Sequence, residues 1–205
     1  MSGRRLVLWR HGQTIWNVEK RFQGQSDIPL DDVGVGQAER AARLLAALRP
    51  DMIVSSDLRR ATGTAAPLGR ITGLAVTTDK DLRERYGGGW EGLTDTEIRA
   101  QYPVEHSAWS PPEGESSDAV AERVCGALER VAAQLPDDGL AVLVSHGAAL
   151  RLGMARLLGI PETLWGMFGP LANCAWSVLG TGRTRWRVLE HNAGTLPEPV
   201  LGDDR

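Results

Sequence analysis

The chain has 205 residues, a formal net charge of −3, and 42% hydrophobic and 24% charged residues. This composition excludes a disordered or fibrous protein. The acidic balance leaves no net positive charge for a nucleic-acid backbone, so we expect no nucleic-acid partner. The length favours one domain, which we place at residues 1–195, followed by a loose tail at 196–205 that is rich in proline and acidic residues.

Cysteine usage and the N-terminal segment indicate the compartment. Cys125 and Cys174 are too few for a disulfide framework and form no Cys-x-x-Cys pair. The apolar run after Arg4–Arg5 is shorter than the roughly 7–15 residues of a signal peptide, and no stretch reaches the roughly 18 residues of a membrane span. We therefore expect a cytoplasmic protein with no membrane association. The cysteines form no zinc-like cluster, and we expect no metal and no cofactor.

Apolar runs and helical spacing alternate in the first half of the chain. Apolar residues at helical spacing predict a helix over residues 37–48, which Pro50 ends because the residue before a proline avoids helical geometry. A second helix is predicted from Asp57, capped by Ser55 or Ser56. Short apolar runs predict strands at residues 6–9, 52–54 and 74–76.

The second half continues the alternation after an irregular stretch. Residues 101–117 contain three prolines and a glycine, and we predict a long loop there. Helices are predicted from Ser116 or Ser117 and over residues 148–158. Strands are predicted at 140–144, 175–179 and 186–189, the last two forming a hairpin around Gly180 and Gly182. This alternation predicts a layered α/β domain with a mainly parallel sheet.

Cationic and imidazole side chains follow three of the predicted strands. Arg10 and His11 follow the first strand, Arg60 follows the second, and His146 follows the run at 140–144. Because ligands bind beyond the carboxyl ends of strands in such sheets, we expect these side chains to meet. Arginine suits phosphate oxygens, and a neutral imidazole can attack phosphorus. On this pattern alone, a structural role for the two histidines is as well supported as a functional one.

A set of ordered motifs resembles the histidine phosphatase superfamily, branch 1, which is the phosphoglycerate mutase-like group. The matching segments are LWRHGQT at 8–14, QG at 23–24, SSDLRRA at 55–61, LRE at 82–84, GWEGLT at 89–94, GES at 114–116 and VSHG at 144–147. They occur in the family's order over about residues 5–190. The resemblance implies a three-layer α/β/α sandwich with a mainly parallel central sheet.

The resemblance also implies the role of each site residue. His11 would be the phosphorylated nucleophile, and Glu84 the acid that protonates the leaving group and then the base that activates water. Arg10 and Arg60 would clamp the phosphate, with Arg60 preferred to Arg59 because it precedes the alanine of the motif, and His146 would contact the transferred group. The expected substrate-binding residues are Asn17, Gln23, Gly24, Thr14 and Gly147, of which Thr14 and Gln23 either contact the ligand or only hold loops.

Other motif residues are expected to be structural. Trp16, Trp90 and Cys174 are predicted to pack, and Glu115 to cap a helix or pair with an arginine. His106 and His191 match no motif, and we expect them at the surface. The loop at 101–117 is expected to cover the pocket and select the substrate, and its Trp109 either contacts an organic group or packs.

Hydrolysis is preferred to isomerisation because of the interval between Glu84 and His146. Mutases of the family carry a longer insertion there with extra basic residues, whereas this interval is short and has no lysine or arginine between Arg99 and Arg123. The chain is most similar to actinobacterial members, which include phosphatases acting on glucosyl-3-phosphoglycerate. We therefore expect a phosphatase of small sugar or glycerate phosphates.

Three alternatives stay open at this point. One is a cofactor-dependent phosphoglycerate mutase, and another is a metallohydrolase with His11 and His146 as ligands. The third is a non-catalytic binding protein built on the same fold. The edge of the late hairpin also allows a homodimer.

Overall fold

The computed structural model describes residues 3–182 and 185–194. The strands are β1 Arg5–Arg10, β2 Met52–Ser55, β3 Val76–Thr78, β4 Leu140–Ser145, β5 Trp176–Thr181 and β6 Trp186–Ala193. The α-helices are α1 Ile15–Val18, α2 Asp32–Ala46, α3 Arg59–Thr72, α4 Asp95–Gln101, α5 Pro103–Ser107, α6 Ser117–Gln134 and α7 Gly147–Leu157. The predicted tail at 196–205 lies outside the described residues. Within those residues, no helix has the length and apolar character that crossing a membrane requires.

The strands form one six-stranded sheet in the order β3-β2-β4-β1-β5-β6. Three neighbouring pairs are parallel, namely β1 with β4, β4 with β2 and β2 with β3. Strand β5 runs antiparallel to both of its neighbours. The predicted α/β class and mainly parallel sheet are therefore confirmed, with β5 as the reversed strand.

Strand β1 shows how the sheet separates two helical layers. Leu6 and Leu8 pack into a cluster with the apolar residues of α6 and α7, whereas Val7 and Trp9 pack with those of α2 and α3. Successive side chains on a strand point to opposite faces, which produces this division. All four side chains are fully buried, as expected for a strand that is covered on both faces.

Three predicted boundaries differ from those in the structure. Helix α2 begins at Asp32, not at residue 37, because the Asp31 carboxylate accepts the N–H of Gly34 at 2.8 Å. Helix α3 begins after Leu58, and no side chain caps it, so the predicted serine cap is wrong. Ser56 instead faces His146. Strand β3 begins at Val76, two residues later than predicted.

The predicted loop at 101–117 is partly wrong, because it contains α5. Pro103 is the first residue of that helix, a position where the missing N–H costs nothing because it would have no partner in the helix. Trp109 packs edge-on against the buried Trp90 with ring centres 5.1 Å apart. His106 packs on both indoles and bonds Asp95 at 2.9 Å, so the expectation of a surface histidine is wrong.

The predicted late hairpin is present as β5 and β6, although residues 183 and 184 are outside the described ranges. His191 is half-buried, with Nδ1 lying 2.9 Å from Ser177 Oγ on the adjacent strand. Its ring also packs against Phe168, so the prediction of a surface position is wrong here too. Cys174 and Trp90 are buried, as predicted.

Candidate active site

The ends of two paired strands bring the histidines together. Arg10, the last residue of β1, lies opposite Ser145, the last residue of β4, and the His11 N–H donates to the Ser145 carbonyl at 2.9 Å. The rings of His11 and His146 therefore lie with their centres 5.2 Å apart, inclined by 58°. Arg10 is buried beside them, and its guanidinium donates to the carbonyl of Leu171.

The contacts of His11 determine which of its nitrogens carries the proton. Nδ1 lies 2.7 Å from the Gly12 carbonyl oxygen, which can only accept, so we place the proton on Nδ1. The lone pair is then on Nε2. Burial is the largest cause that holds the pKa of His11 well below 6.5, and the Arg60 and Arg10 cations lower it further. His11 is thus a neutral imidazole at neutral pH, which is the nucleophilic form.

Arg60 orients the second histidine. Its Nε–H donates to His146 Nδ1 at 3.1 Å, and because a guanidinium only donates, the His146 proton lies on Nε2, which donates to Ser56 Oγ at 2.9 Å. Burial first, and then the Arg60 charge, hold the pKa of His146 well below 6.5. The other arms of the guanidinium donate to the carbonyls of Ser26 at 2.7 Å and Gly24 at 2.6 Å. Arg59, the neighbour, is exposed.

The loop that supplies these two carbonyls is held by Glu91. The Glu91 carboxylate accepts the N–H of Gln25 at 2.8 Å, the hydroxyl of Ser26 at 2.6 Å and the N–H of Gly87 at 3.0 Å. Gly24 has a left-handed φ of +52°, and a Cβ there would lie 2.1 Å from a Glu91 oxygen. The structure therefore uses Gly24 to bring its carbonyl to the buried arginine, a backbone role that the motif did not reveal.

Asn17 presents a buried donor. Its Oδ1 accepts the N–H of Thr14 at 3.1 Å and the Nδ2 of Asn173 at 3.2 Å, which fixes the orientation of the amide. Its Nδ2 is buried and has no hydrogen-bond partner among the described residues. A buried unpaired donor requires an explanation, and an anionic ligand oxygen would satisfy it. Thr14 and Gln23 lie in one network, with the hydroxyl 3.0 Å from Gln23 Oε1.

The side chain of Glu84 lies against the N-terminus of α7, the helix that follows His146. The carboxylate is almost fully buried and accepts three backbone N–H groups, those of Arg85 at 2.8 Å, Ala148 at 3.1 Å and Ala149 at 2.9 Å. The last two belong to the first turn of α7, which begins at the buried Gly147. These donors and the helix dipole stabilise the ionised carboxylate.

Arg123 of α6 organises the segment that carries Glu84, a role the sequence did not indicate. It donates to the carbonyls of Asp81 at 2.9 Å, Arg83 at 2.7 Å and Glu84 at 2.8 Å. It also binds both oxygens of Glu115, at 2.8 and 2.7 Å. Burial acts to raise the pKa of Glu115, but hydrogen bonds from Arg123 and the Tyr86 N–H outweigh it, and the pKa is lowered. Of the two roles expected for Glu115, the structure shows the arginine partner.

The surroundings of His146 disfavour the alternative in which His11 and His146 bind a metal ion. The His146 Nδ1 lone pair faces the Arg60 guanidinium, and a metal ion at that nitrogen would meet this positive charge. Over residues 3–182 and 185–194, no three His, Cys, Asp or Glu side chains form a group that could hold a metal ion.

Comparison with known proteins decides the family. The model of the histidine phosphatase superfamily (branch 1) matches residues 6–194. The chain belongs to this superfamily. The ordered motifs of the sequence are therefore those of a histidine phosphatase, and the resemblance drawn from them is confirmed.

Individual relatives agree with the family assignment. A glucosyl-3-phosphoglycerate phosphatase of Mycobacterium tuberculosis is 42% identical, with 94% of this chain and 96% of the relative covered. The phosphoglycerate mutase-like protein 4 of Arabidopsis thaliana is 38% identical, with 97% and 84% covered. A solved structure of a mycobacterial glucosyl-3-phosphoglycerate phosphatase complexed with VO3 has a TM-score of 0.88 at 42% identity and covers 93% of this chain and 100% of that one. The histidine phosphatase fold of this chain is thus shared over nearly its whole length.

Proposed function

We propose that this histidine phosphatase hydrolyses small phosphate monoesters of the sugar or glycerate phosphate class, through a phosphohistidine on His11. The observation that carries the proposal is the neutral, buried imidazole of His11, whose ring centre lies 5.2 Å from that of His146 and whose pKa is lowered by burial and by the Arg60 and Arg10 cations. A buried neutral nucleophile among cations fits phosphoryl transfer, which depends mainly on positioning and charge stabilisation.

In the first step, Nε2 of His11 attacks phosphorus as the bond to the leaving oxygen breaks. Arg10 and Arg60 stabilise the charge on the phosphoryl oxygens, and the Nδ2 of Asn17 donates to one of them. Glu84 gives its proton to the leaving oxygen. The backbone N–H groups of Ala148 and Ala149 hold the carboxyl group of Glu84 in place for this transfer.

In the second step, a water molecule attacks the phosphorus of phosphohistidine. The carboxylate of Glu84 takes the water proton, the P–N bond breaks, and its electron pair returns to Nε2 of His11. Inorganic phosphate then dissociates. His11 is again a neutral imidazole and Glu84 is protonated, so the site can react with the next ester. The three backbone donors around Glu84 fix the position of its carboxylate for both proton transfers.

Among phosphate monoesters, glucosyl-3-phosphoglycerate is the first compound to test. It is the substrate after which two mycobacterial relatives, each 42% identical to this chain, are named. The short interval between Glu84 and His146 supports water, rather than a bound phosphoglycerate, as the acceptor. A relative at 38% identity is named a phosphoglycerate mutase-like protein, and the mutase alternative is tested by the interconversion of 2- and 3-phosphoglycerate with a bisphosphate primer.

The experiment compares the wild-type protein with H11A and with H191A, which removes a histidine of β6 outside the proposed site. Phosphate release from a panel of monoesters is measured with and without a chelator, and acid-labile phosphoenzyme is trapped during turnover. We expect release and trapping in the wild type and in H191A, unaffected by the chelator, and neither in H11A. Turnover of folded H11A near the wild-type rate would overturn the proposal, and inhibition by the chelator would favour the metallohydrolase.

A further inference from the structure

A separate cavity lies beside α7, on residues that the proposed chemistry does not use. Its volume is about 270 Å³, and it is lined by Ser117, Arg151, Leu152, Glu162, Trp165 and Gly166. The lining combines one cation, one anion, one hydroxyl and an indole ring. Such a mixture suits a polar ligand with distinct chemical groups.

Arg151 is the unusual member of this lining. It is half-buried, its Nε is buried without a hydrogen-bond partner, and it forms no ion pair within the described part of the chain. Arg156 on the same helix is paired, by contrast, with Asp118 at 2.7 Å and Glu122 at 2.5 Å. A half-buried guanidinium without an acidic partner can donate to a carboxylate, whose two oxygens match its planar fork of donors.

The position of Arg151 links the cavity to the proposed chemistry. Ala148 donates its N–H to Glu84, and Arg151 lies three residues further along the same helix. Residues three apart are neighbours on a helix face, and three residues advance about 4.5 Å along the axis. Both residues are partly exposed, and long helical side chains lean towards the helix N-terminus, in this case towards Glu84. Arg151 of the cavity lining therefore lies about one helical turn along α7 from the backbone group that binds Glu84, the proposed acid.

We propose that this cavity binds the leaving group of the substrate and that Arg151 recognises a carboxylate on it. The inference rests on the proposed phosphatase activity, since it assigns the leaving group of that reaction. Glu162 disfavours a second anion in the cavity and can accept hydrogen bonds from hydroxyl groups. The lining thus selects the phosphate ester of a hydroxy acid that also carries neutral, hydroxyl-rich groups such as a sugar.

A pair of substrates isolates the carboxylate. Glycerol 3-phosphate and 3-phosphoglycerate differ only in a hydroxymethyl group that replaces the carboxylate, so the ratio of their kcat/KM values reports its recognition. We expect the wild type to favour 3-phosphoglycerate and R151Q to lower that preference by about tenfold or more, mainly through KM. R156Q removes a charge from the same helix and should keep the preference. An equal ratio in the wild type and R151Q overturns the inference.

A binding measurement separates this inference from the proposed catalysis. Calorimetric titration of H11A and of H11A with R151Q requires no turnover. We expect the added R151Q to weaken 3-phosphoglycerate binding by about tenfold or more and to leave glycerol 3-phosphate binding within about twofold. If the wild type hydrolyses no ester but this difference is found, the catalytic proposal fails and the carboxylate site stands. If esters are hydrolysed and the difference is absent, the carboxylate site is wrong.

Discussion

Arg60 and His146 share a hydrogen bond of 3.1 Å between the guanidinium Nε and the imidazole Nδ1. This contact places the histidine proton on Nε2 and brings a fixed positive charge next to a neutral ring. The same guanidinium holds the carbonyls of Gly24 and Ser26, so one arginine joins three segments that are distant in sequence. The geometry of the proposed phosphate site depends on a planar fork of donors, which lysine lacks.

R60K should therefore abolish most activity without a change in net charge. A lysine ammonium cannot reach His146 and both carbonyls in the arginine geometry, and loss of a preorganised donor costs about 10²–10³-fold in kcat. The matched control is R59K, since Arg59 is exposed. Phosphate release and thermal unfolding are measured for both variants. A wild-type kcat in R60K would show that a positive charge at position 60 is sufficient for activity and that the arginine geometry is not needed.

The lowered pKa values of His11 and His146 predict how stability changes with pH. Below about pH 6.5 these two histidines are protonated in the unfolded chain but remain neutral in the folded protein. The unfolded state therefore binds more protons, and the free energy of unfolding falls as the pH is lowered. Each histidine contributes at most about 1.4 kcal/mol per pH unit between 6.5 and its lowered folded pKa. Urea unfolding at pH 5, 6 and 7 should give a shallower dependence for H11N than for the wild type. Parallel curves would contradict the pKa assignment.

N17D tests the buried amide donor. Aspartate keeps the shape of Asn17 and still accepts the Thr14 N–H, but it replaces the unpaired Nδ2 with a negatively charged oxygen. We expect the inhibition constant of inorganic phosphate and the KM of any ester to rise by about tenfold or more, because the donor is lost and like charges repel. N192D adds the same charge at an exposed position and serves as the control. Unchanged phosphate inhibition in N17D would remove Asn17 from the anion site.

E84Q should discriminate between leaving groups. Glutamine keeps the size of Glu84 but cannot donate an acidic proton, and general acid catalysis is worth about 10²–10⁴-fold. Esters of aliphatic alcohols need that proton, whereas acidic phenols leave without it. We therefore expect a much larger loss of kcat on alkyl than on aryl phosphates. An equal loss on both classes would refute the proposed acid.

The site residues that the sequence could predict either follow a buried strand or lie in a motif of the family. His11 and His146 follow buried apolar runs, and the rule that ligands bind at the carboxyl ends of strands brought them together before any coordinates. Arg60 was distinguished from Arg59 only by the motif, and the structure buries the first and exposes the second.

The residues that sequence analysis missed act through the backbone. Glu91 binds mainly N–H groups and Arg123 mainly carbonyls, and because every residue has these groups, no side-chain pattern identifies the partners. Pro103 favours a loop in the sequence pattern but begins a helix in the structure, since proline suits both settings. Arg151 has no spacing signal at all, and only the cavity beside it makes it notable.

Arg123 leads to the last prediction, which concerns positioning. Its guanidinium holds the carbonyls of Arg83 and Glu84 and both oxygens of Glu115, so R123Q should release the segment that carries the proposed acid. If it acts through Glu84, the loss of kcat must fall mainly on alkyl phosphates and must shrink when E84Q is already present, because the acid is then gone. R130Q is the matched control on α6, where Arg130 pairs with Asp79 and Asp81 at the surface.

A merely structural arginine would behave differently in the same measurements. Loss of stability alone lowers the amount of active protein and reduces turnover of alkyl and aryl phosphates in the same proportion. It also adds to the effect of E84Q instead of overlapping with it. Rates are therefore compared per folded molecule, with thermal unfolding as the check on each variant. An R123Q protein whose losses are equal on both ester classes and additive with E84Q would show that Arg123 supports the fold without positioning the acid.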